Sequence, residues 1–104
     1  SYNSDPAQRK QIPGQLFPVA AFDQFAMQSV PLAATAWAAG RTLAQTELRR
    51  RTGATLVAVS RGDATAVHPA PGDLLSAGDV LCLVGNEQQI AAARELLAAG
   101  PPDL

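Results

Sequence analysis

The sequence lacks the features that mark several large classes of protein. It has one cysteine among 104 residues, which excludes an internal disulfide and favours a reducing compartment. It has no run of the roughly 18–20 apolar residues that a membrane-spanning helix needs, and its polar first residues lack the apolar core of a signal peptide. The net charge of -1 is not that of a typical nucleic-acid-binding domain. We therefore expect no membrane span and no direct nucleic-acid partner.

Residues that carry catalysis or bind metals are also scarce. One histidine and one cysteine are too few for a usual zinc site. Cys82 lies in the apolar run "VLCLV" and is expected to be a small core side chain rather than a nucleophile. Asp79 has no second carboxylate at a recognisable catalytic spacing, and a role in a turn explains it better. The sequence therefore predicts a protein that is not an enzyme and binds no metal.

The chain has the length of one domain. Residues 1–18 hold three prolines and one glycine among mostly polar residues, which predicts a linker. We assign the domain to residues 19–100 and a tail to residues 101–104. Because only 16% of the residues are charged, part of the apolar surface could be covered by a partner, including a second copy of the chain.

The first half of the domain predicts a strand followed by a helix. Residues 22–30 alternate apolar and polar side chains as a half-buried strand does, although a helix is an alternative. Pro31 is expected to stop regular pairing. Thr42 and the glutamine three residues later form a capping box for a helix over residues 43–52, with Ala44 and Leu48 on one face. The glycine at position 53 is a typical left-handed C-cap.

The second half predicts a hairpin, a strand and a last helix. Residues 55–60 and 80–84 are apolar on both faces, which predicts strands buried on both sides. A turn at residues 61–63 returns the chain as a second hairpin arm over residues 64–68. Asn86 caps the last helix, in which apolar residues recur at helical spacing: Ile90, Ala93 and Leu97. The predicted fold class is α+β, a small β-α-β-β-β-α domain with a mainly antiparallel sheet.

Several short sequence segments, taken in order along the chain, form a combined motif between Phe25 and Leu97. They are "AGRTL" (39–43), "LRRRTGATLVAVSRG" (48–62), "HPAPGDLLSAGDVLCLVG" (68–85) and "NEQQI" (86–90). In these segments the chain resembles the C-terminal subdomain of the regulators of potassium conductance, called the TrkA-C or RCK-C domain.

The resemblance implies a non-enzymatic regulatory domain on the cytoplasmic face of the membrane. Such domains form homodimers and are attached to potassium channels, uptake systems or cation/proton antiporters. The implied partners are a second copy, the membrane ion-transport domain of the parent protein and a small effector, either cyclic di-AMP or another nucleotide, with no other cofactor. The alternatives are the effector domain of a transcription regulator and a dimerisation module without a ligand.

The same resemblance implies a ligand site at the end of the first helix and in the hairpin. Arg49 is the expected phosphate ligand, because a guanidinium pairs bidentately with phosphate oxygens. Arg50 and Arg51 are expected to be cations that suit the negative end of a helix dipole, and this is also the alternative reading of Arg49. Thr55 stands where cyclic di-AMP binders of the family often have asparagine. The implied ligand-binding residues are Leu48, Arg49, Thr55, His68 and Pro69.

Overall fold

The structure, a computed structural model, describes residues 24–103 of the chain. The predicted linker at residues 1–18 and the first two residues of the first predicted strand lie outside that range. Within it, four strands and three helices follow the predicted order, with the first helix divided in two. The elements are β1 (Phe25–Pro31), α1 (Leu43–Thr46), α2 (Leu48–Thr52), β2 (Thr55–Arg61), β3 (Ala64–Val67), β4 (Val80–Asn86) and α3 (Glu87–Ala99).

The strands form one antiparallel sheet in the order β1-β4-β2-β3. This confirms the predicted α+β class, and it confirms a strand rather than a helix before Pro31. Regular pairing ends at Pro31 as predicted: Pro31 is the last residue of β1 and lies opposite Val80. A proline is tolerated there because β1 is an edge strand, where a missing N–H need not break a ladder.

Only one face of the sheet is covered by helix within residues 24–103. Leu81 and Leu83 of β4 are fully buried and share the core with Ala93 and Leu97 of α3. The neighbouring residues of β4 point to the opposite face, which is partly exposed. The prediction that β2 and β4 are buried on both sides is therefore wrong, since the helices pack on one side alone. We call the other side the open face.

The open face carries no charged residue in any of the four strands. The register places on it Phe25, Met27, Ser29, Pro31, Thr55, Ala58, Ser60, Thr65, Val67, Val80, Cys82, Val84 and Asn86. Met27 and Val67 are the most exposed of its apolar residues, at 71% and 66%. Cys82 is half-buried on this face, so its predicted place in the core is wrong.

Strand β2 contains a bulge at Val57. Leu56 lies opposite Leu83, but the next paired residue is Ala58, opposite Cys82. One extra residue thus shifts the alternation of side chains between the two faces. As a result Leu56 and Val59 both point toward the helices, although they are three positions apart and strict alternation would place them on opposite faces.

The helix predicted over residues 43–52 is interrupted at Glu47. The capping box at its start is present: the Thr42 hydroxyl accepts from the Gln45 N–H, and the Gln45 side chain accepts from the Thr42 N–H. Glu47 then adopts a left-handed conformation with φ 52° and separates α1 from α2. The buried hydroxyl of Thr46 donates to the Leu43 carbonyl and accepts from the Leu48 N–H.

These bonds explain the interruption, because a threonine hydroxyl competes with the backbone for helical hydrogen bonds. The two short helices do not share the continuous face that was predicted. Leu48 is buried in the core, whereas Ala44 is exposed. Gly53 ends α2 in the predicted left-handed conformation, with φ 80°.

Helix α3 begins and packs as predicted. The Asn86 side chain accepts from the Gln89 N–H, and the Gln89 side chain accepts from the Asn86 N–H. Ile90, Ala93 and Leu97 are all buried. No helix in the part of the chain that the structure describes has the length and apolar character to cross a bilayer.

Candidate functional site

A cleft of about 340 Å³ opens between the divided helix and the start of β2. Most of its wall is apolar, and its charged side chains come from Glu47, between α1 and α2, and from the start of α2. The loop after β3 closes its other side. The lining residues are Leu43, Ala44, Glu47, Leu48, Arg49, Arg50, Thr55, Leu56, Pro69 and Pro71.

The cleft exists because β3 is shorter than β2. Strand β3 ends at Val67, opposite Ala58, and the His68 N–H still donates to the Val57 carbonyl. His68 then takes a positive φ of 54°, and the chain leaves the sheet. The first two residues of β2, Thr55 and Leu56, therefore have no β3 residue opposite them and face the cleft.

Glu47 occupies two of the three neighbouring arginines. Its Oε1 accepts from Arg50 Nη2 at 2.7 Å and from Arg51 Nε at 3.1 Å. Arg51 also lies 3.4 Å from Asp103. Arg49 forms no side-chain hydrogen bond or ion pair within residues 24–103. Within residues 24–103, Arg49 is therefore the arginine of the three whose guanidinium group is available to bind an anion.

The ion pair between Glu47 and Arg50 stays charged at neutral pH. Hydrogen bonds from Arg50 and then Arg51 hold the pKa of Glu47 below its ordinary value of 4.5, against a smaller opposing effect of burial. The hydrogen bond with Glu47 likewise raises the pKa of Arg50. The cleft wall thus presents two guanidinium groups and one carboxylate, which gives it one net positive charge.

The structure brings together four of the five predicted ligand residues. Leu48, Arg49, Thr55 and Pro69 all line the cleft. His68 does not line it: this residue is exposed at the point where the chain leaves β3. Their role in binding a ligand stays a prediction.

Six other residues line the cleft and were not among the predicted ligand residues: Leu43, Ala44, Glu47, Arg50, Leu56 and Pro71. Leu43 and Ala44 follow the Thr42 cap. The capping box could have pointed to them, because it places both residues in the first turn of a helix, which is often exposed on one side. Pro71 belongs to the "HPAP" segment, on which part of the family resemblance rests. Glu47 had no signal, since its place in the wall depends on the helix break.

The arrangement has the features of a binding site. Apolar walls beside a single available guanidinium fit a ligand with a flat apolar group and a phosphate. Within residues 24–103, no three His, Cys, Asp or Glu side chains lie close enough to hold a metal ion together. The geometry therefore points to a small anionic ligand with an apolar part.

Comparison with known proteins identifies the fold and the family. The TrkA-C domain family matches residues 27–98. "Potassium channel protein 1" of Methanocaldococcus jannaschii is 34% identical over 50 residues, which cover 48% of this chain and 15% of that protein. The chain thus spans a small part of the curated relative that it matches.

Solved structures agree with this assignment. The RCK_C domain dimer of S. agalactiae BusR, solved in complex with c-di-AMP, is 26% identical, with a TM-score of 0.59; the match covers 64% of this chain and 87% of that one. The RCK C domain of the potassium transport protein KtrA shares the fold at 19% identity and a TM-score of 0.64, covering 74% of this chain and 88% of that one. The sequence match, the antiparallel sheet and these structures together show that the chain belongs to the TrkA-C (RCK_C) domain family.

Proposed function

We propose that this domain binds cyclic di-AMP as a homodimer and regulates a potassium transport protein. The observation that carries the proposal is the cleft in which Arg49 has no partner among the described residues. The BusR domain, the 26% identical relative, is solved as a dimer with c-di-AMP. The match with an archaeal potassium channel protein supports the transport context.

The size and charge of the cleft favour a ligand shared between two copies. A volume of about 340 Å³ lies at the low end of the roughly 300–1,000 Å³ usual for ligand pockets. One cleft offers one available guanidinium, whereas a cyclic dinucleotide has two phosphates and two bases. Two clefts related by a two-fold axis supply a guanidinium and an apolar wall for each half. A two-fold ligand therefore matches a two-fold dimer.

The apolar wall provides the contact for the base. Leu43, Ala44, Pro69 and Pro71 all face the cleft, and the two prolines have little conformational freedom to lose when a ligand packs on them. Arg49 faces the same space and would pair with the phosphate. The cleft would thus bind each half of the ligand through a flat apolar contact and a charged one.

Regulation would follow from a difference in affinity between two arrangements of the dimer. A ligand shifts such an equilibrium only by as much as it prefers one arrangement. Because the cleft is built from a divided helix and a loop, small rearrangements at the dimer axis would change how the two clefts face each other. The attached membrane domain would respond to that change.

The proposal is tested by light scattering and titration calorimetry on the domain. We expect a dimer at micromolar concentration and saturable heat with cyclic di-AMP. Arg49→Ala should abolish the heat, whereas Arg94→Ala should leave it unchanged, because Arg94 bonds to Gln28 on a different side of the domain. A monomer that gives no heat with the wild-type sequence would contradict the proposal.

One alternative is the effector domain of a transcription regulator. BusR has also been solved in complex with its busAB-promotor DNA, so the RCK_C domain occurs outside transport proteins. The ligand site would be the same in both cases. The two are distinguished by what the rest of the full-length protein contains, a membrane domain or a DNA-binding one. A dimer that binds no nucleotide would favour the ligand-free dimerisation module.

A further inference from the structure

One wall of the cleft is formed by the loop between β3 and β4, residues 68–79. The loop is hydrogen-bonded to the segment that begins α1. The Leu43 N–H donates to the Asp73 carbonyl at 2.9 Å, and the Ala44 N–H donates to the Pro71 carbonyl at 2.8 Å. Both donors belong to residues of the opposite wall. The width of the cleft therefore depends on where this loop is held.

Leu75 anchors the loop in the core, but packing alone does not hold the part of the loop around Pro69. A second cavity of about 300 Å³ lies behind it, and Pro69 lines both this cavity and the cleft. The second cavity is bounded by the hairpin on one side and by Leu74 and Leu75 on the other. Since an unfilled space gives Pro69 few contacts on that side, other interactions must help to fix this part of the loop.

Besides backbone hydrogen bonds, Arg61 at the end of β2 supplies such interactions through its side chain. Its Nε donates to Asp79 Oδ1 at 2.7 Å, and its Nη2 donates to Asp79 Oδ2 at 2.8 Å. The same Nη2 donates to the Leu74 carbonyl at 3.1 Å. Asp79 is fully buried and also accepts from the Ser76 N–H at 2.8 Å. One guanidinium thus joins the sheet to both the middle and the end of the loop.

The path from Arg61 to the cleft is short. Leu74 forms an isolated antiparallel bridge with Thr42, the N-cap of α1. The Leu75 N–H donates to the Arg41 carbonyl on the same side. Displacing the Leu74 carbonyl would therefore move the loop relative to α1, and with it the two prolines of the wall.

We propose that Arg61 is a positioning residue for the cleft: by holding Leu74 and Asp79 it sets the distance between the proline wall and α1. Arg61 does not line the cleft itself, so it acts through the loop. The inference rests on the proposed function for its ligand and on the hydrogen-bond geometry for the rest. It assigns a role in binding to an ion pair that would otherwise concern folding alone.

The test is Arg61→Lys, with Arg94→Lys as the matched control. Lysine keeps a positive charge beside the buried Asp79, but it lacks the planar fork that reaches two carboxylate oxygens and a carbonyl together. Amide hydrogen exchange is followed by NMR at Leu43, Ala44 and Leu75, whose N–H groups bond across the wall, and in α3 as a reference. Cyclic di-AMP affinity is measured by calorimetry on the same samples.

In Arg61→Lys we expect the three wall amides to exchange about 10-fold faster relative to α3 and the affinity for cyclic di-AMP to fall about 10-fold. Bound ligand should restore slow exchange. The proposal is overturned if the wall amides are unchanged, if α3 accelerates equally, or if the affinity stays the same while the wall loosens. If the wild-type protein binds no cyclic di-AMP, the proposed function fails, and the exchange ratio alone decides whether Arg61 holds the wall.

Discussion

Gly53, at the end of α2, lies directly against the side chain of Gln89 in the first turn of α3. A Cβ at position 53 would stand 2.7 Å from Gln89 Nε2. The Gln89 side chain cannot easily withdraw, because its Oε1 accepts from the Asn86 N–H and so completes the cap of α3. The end of one helix thus rests on the cap of the next.

Gly53→Ala should destabilise the domain by about 2–3 kcal/mol, since a left-handed alanine is strained and its methyl group displaces Gln89. Urea denaturation measures the change in the free energy of unfolding. Gly62→Ala is the matched control: Gly62 also has a positive φ, of 61°, but nothing lies within 4 Å of its added Cβ. The control should lose about 1–2 kcal/mol from backbone strain alone. Equal losses in the two variants would contradict the packing role of Gly53.

Stability should fall in acid because of Asp79. The hydrogen bond from Arg61 holds the pKa of this carboxyl below its ordinary value of 3.8, and the Ser76 N–H adds to the effect, while burial opposes it. The folded state therefore binds the proton less tightly than the unfolded chain. The resulting stabilisation is complete above the unfolded pKa and is lost as the pH falls through the folded one.

Comparing Asp79→Asn with the wild-type sequence isolates this contribution. At pH 7 the variant should be less stable by about 2–3 kcal/mol, because it loses the ion pair at a fully buried position. The gap should narrow as the pH falls below the ordinary carboxyl pKa of 3.8, where the unfolded wild-type chain binds a proton at Asp79 before the folded one does. Urea titrations at several pH values measure both. Asp63→Asn, in the exposed hairpin turn, should show no such gap, and a gap that is constant with pH at position 79 would refute the ion-pair explanation.

Thr46→Val should weaken the helix break. The change keeps the shape of the side chain but removes a hydroxyl that bonds both the Leu43 carbonyl and the Leu48 N–H. Because Thr46 is fully buried, the lost bonds should cost about 1–3 kcal/mol. Thermal denaturation checks this. The control is Thr35→Val at an exposed position, where a comparable loss would show that the hydroxyl of Thr46 has no special role.

Glu47→Gln should strengthen the binding of cyclic di-AMP. The substitution removes the carboxylate from the cleft wall and frees the guanidinium groups of Arg50 and Arg51 from their ion pairs. We expect an affinity gain of about 2–5-fold at low salt that disappears in 1 M salt, since exposed charges are screened. Glu95→Gln, on α3, is the control and should have no effect. A loss of affinity in Glu47→Gln would indicate that Glu47 contacts the ligand favourably.

Local signals predicted most of the fold. The capping boxes at Thr42 and Asn86, the left-handed Gly53 and the spacing of apolar residues in α3 are all decided by neighbouring residues, so a single sequence contains them. The errors arose where distant parts of the chain decide the outcome. Whether β4 is covered on both sides depends on where every helix packs, and no residue within β4 reports that.

The candidate site was predictable in part for the same reason. Arg49 and Thr55 belong to a continuous motif, and both line the cleft. Arg50 and Arg51 pair with Glu47 because the chain makes a left-handed turn at Glu47. Glutamate is a good helix former, so the sequence predicts no such turn at this position. The bond between Arg61 and Asp79 joins residues 18 positions apart. Because a role in a turn already accounted for Asp79, nothing in the sequence pointed to Arg61 as its partner.

The bulge at Val57 has a consequence for how the domain could vary. Deleting this one residue would restore strict alternation in β2 and would leave Leu56 and Val59 both on the core side, because Ala58 alone would then separate them. The residues before and after the deletion would therefore keep their faces. The bulge absorbs one extra residue between the segment that lines the cleft and the segment that forms the hairpin. The strand can thus differ by one residue in length at this point without turning the side chains of either segment to the other face.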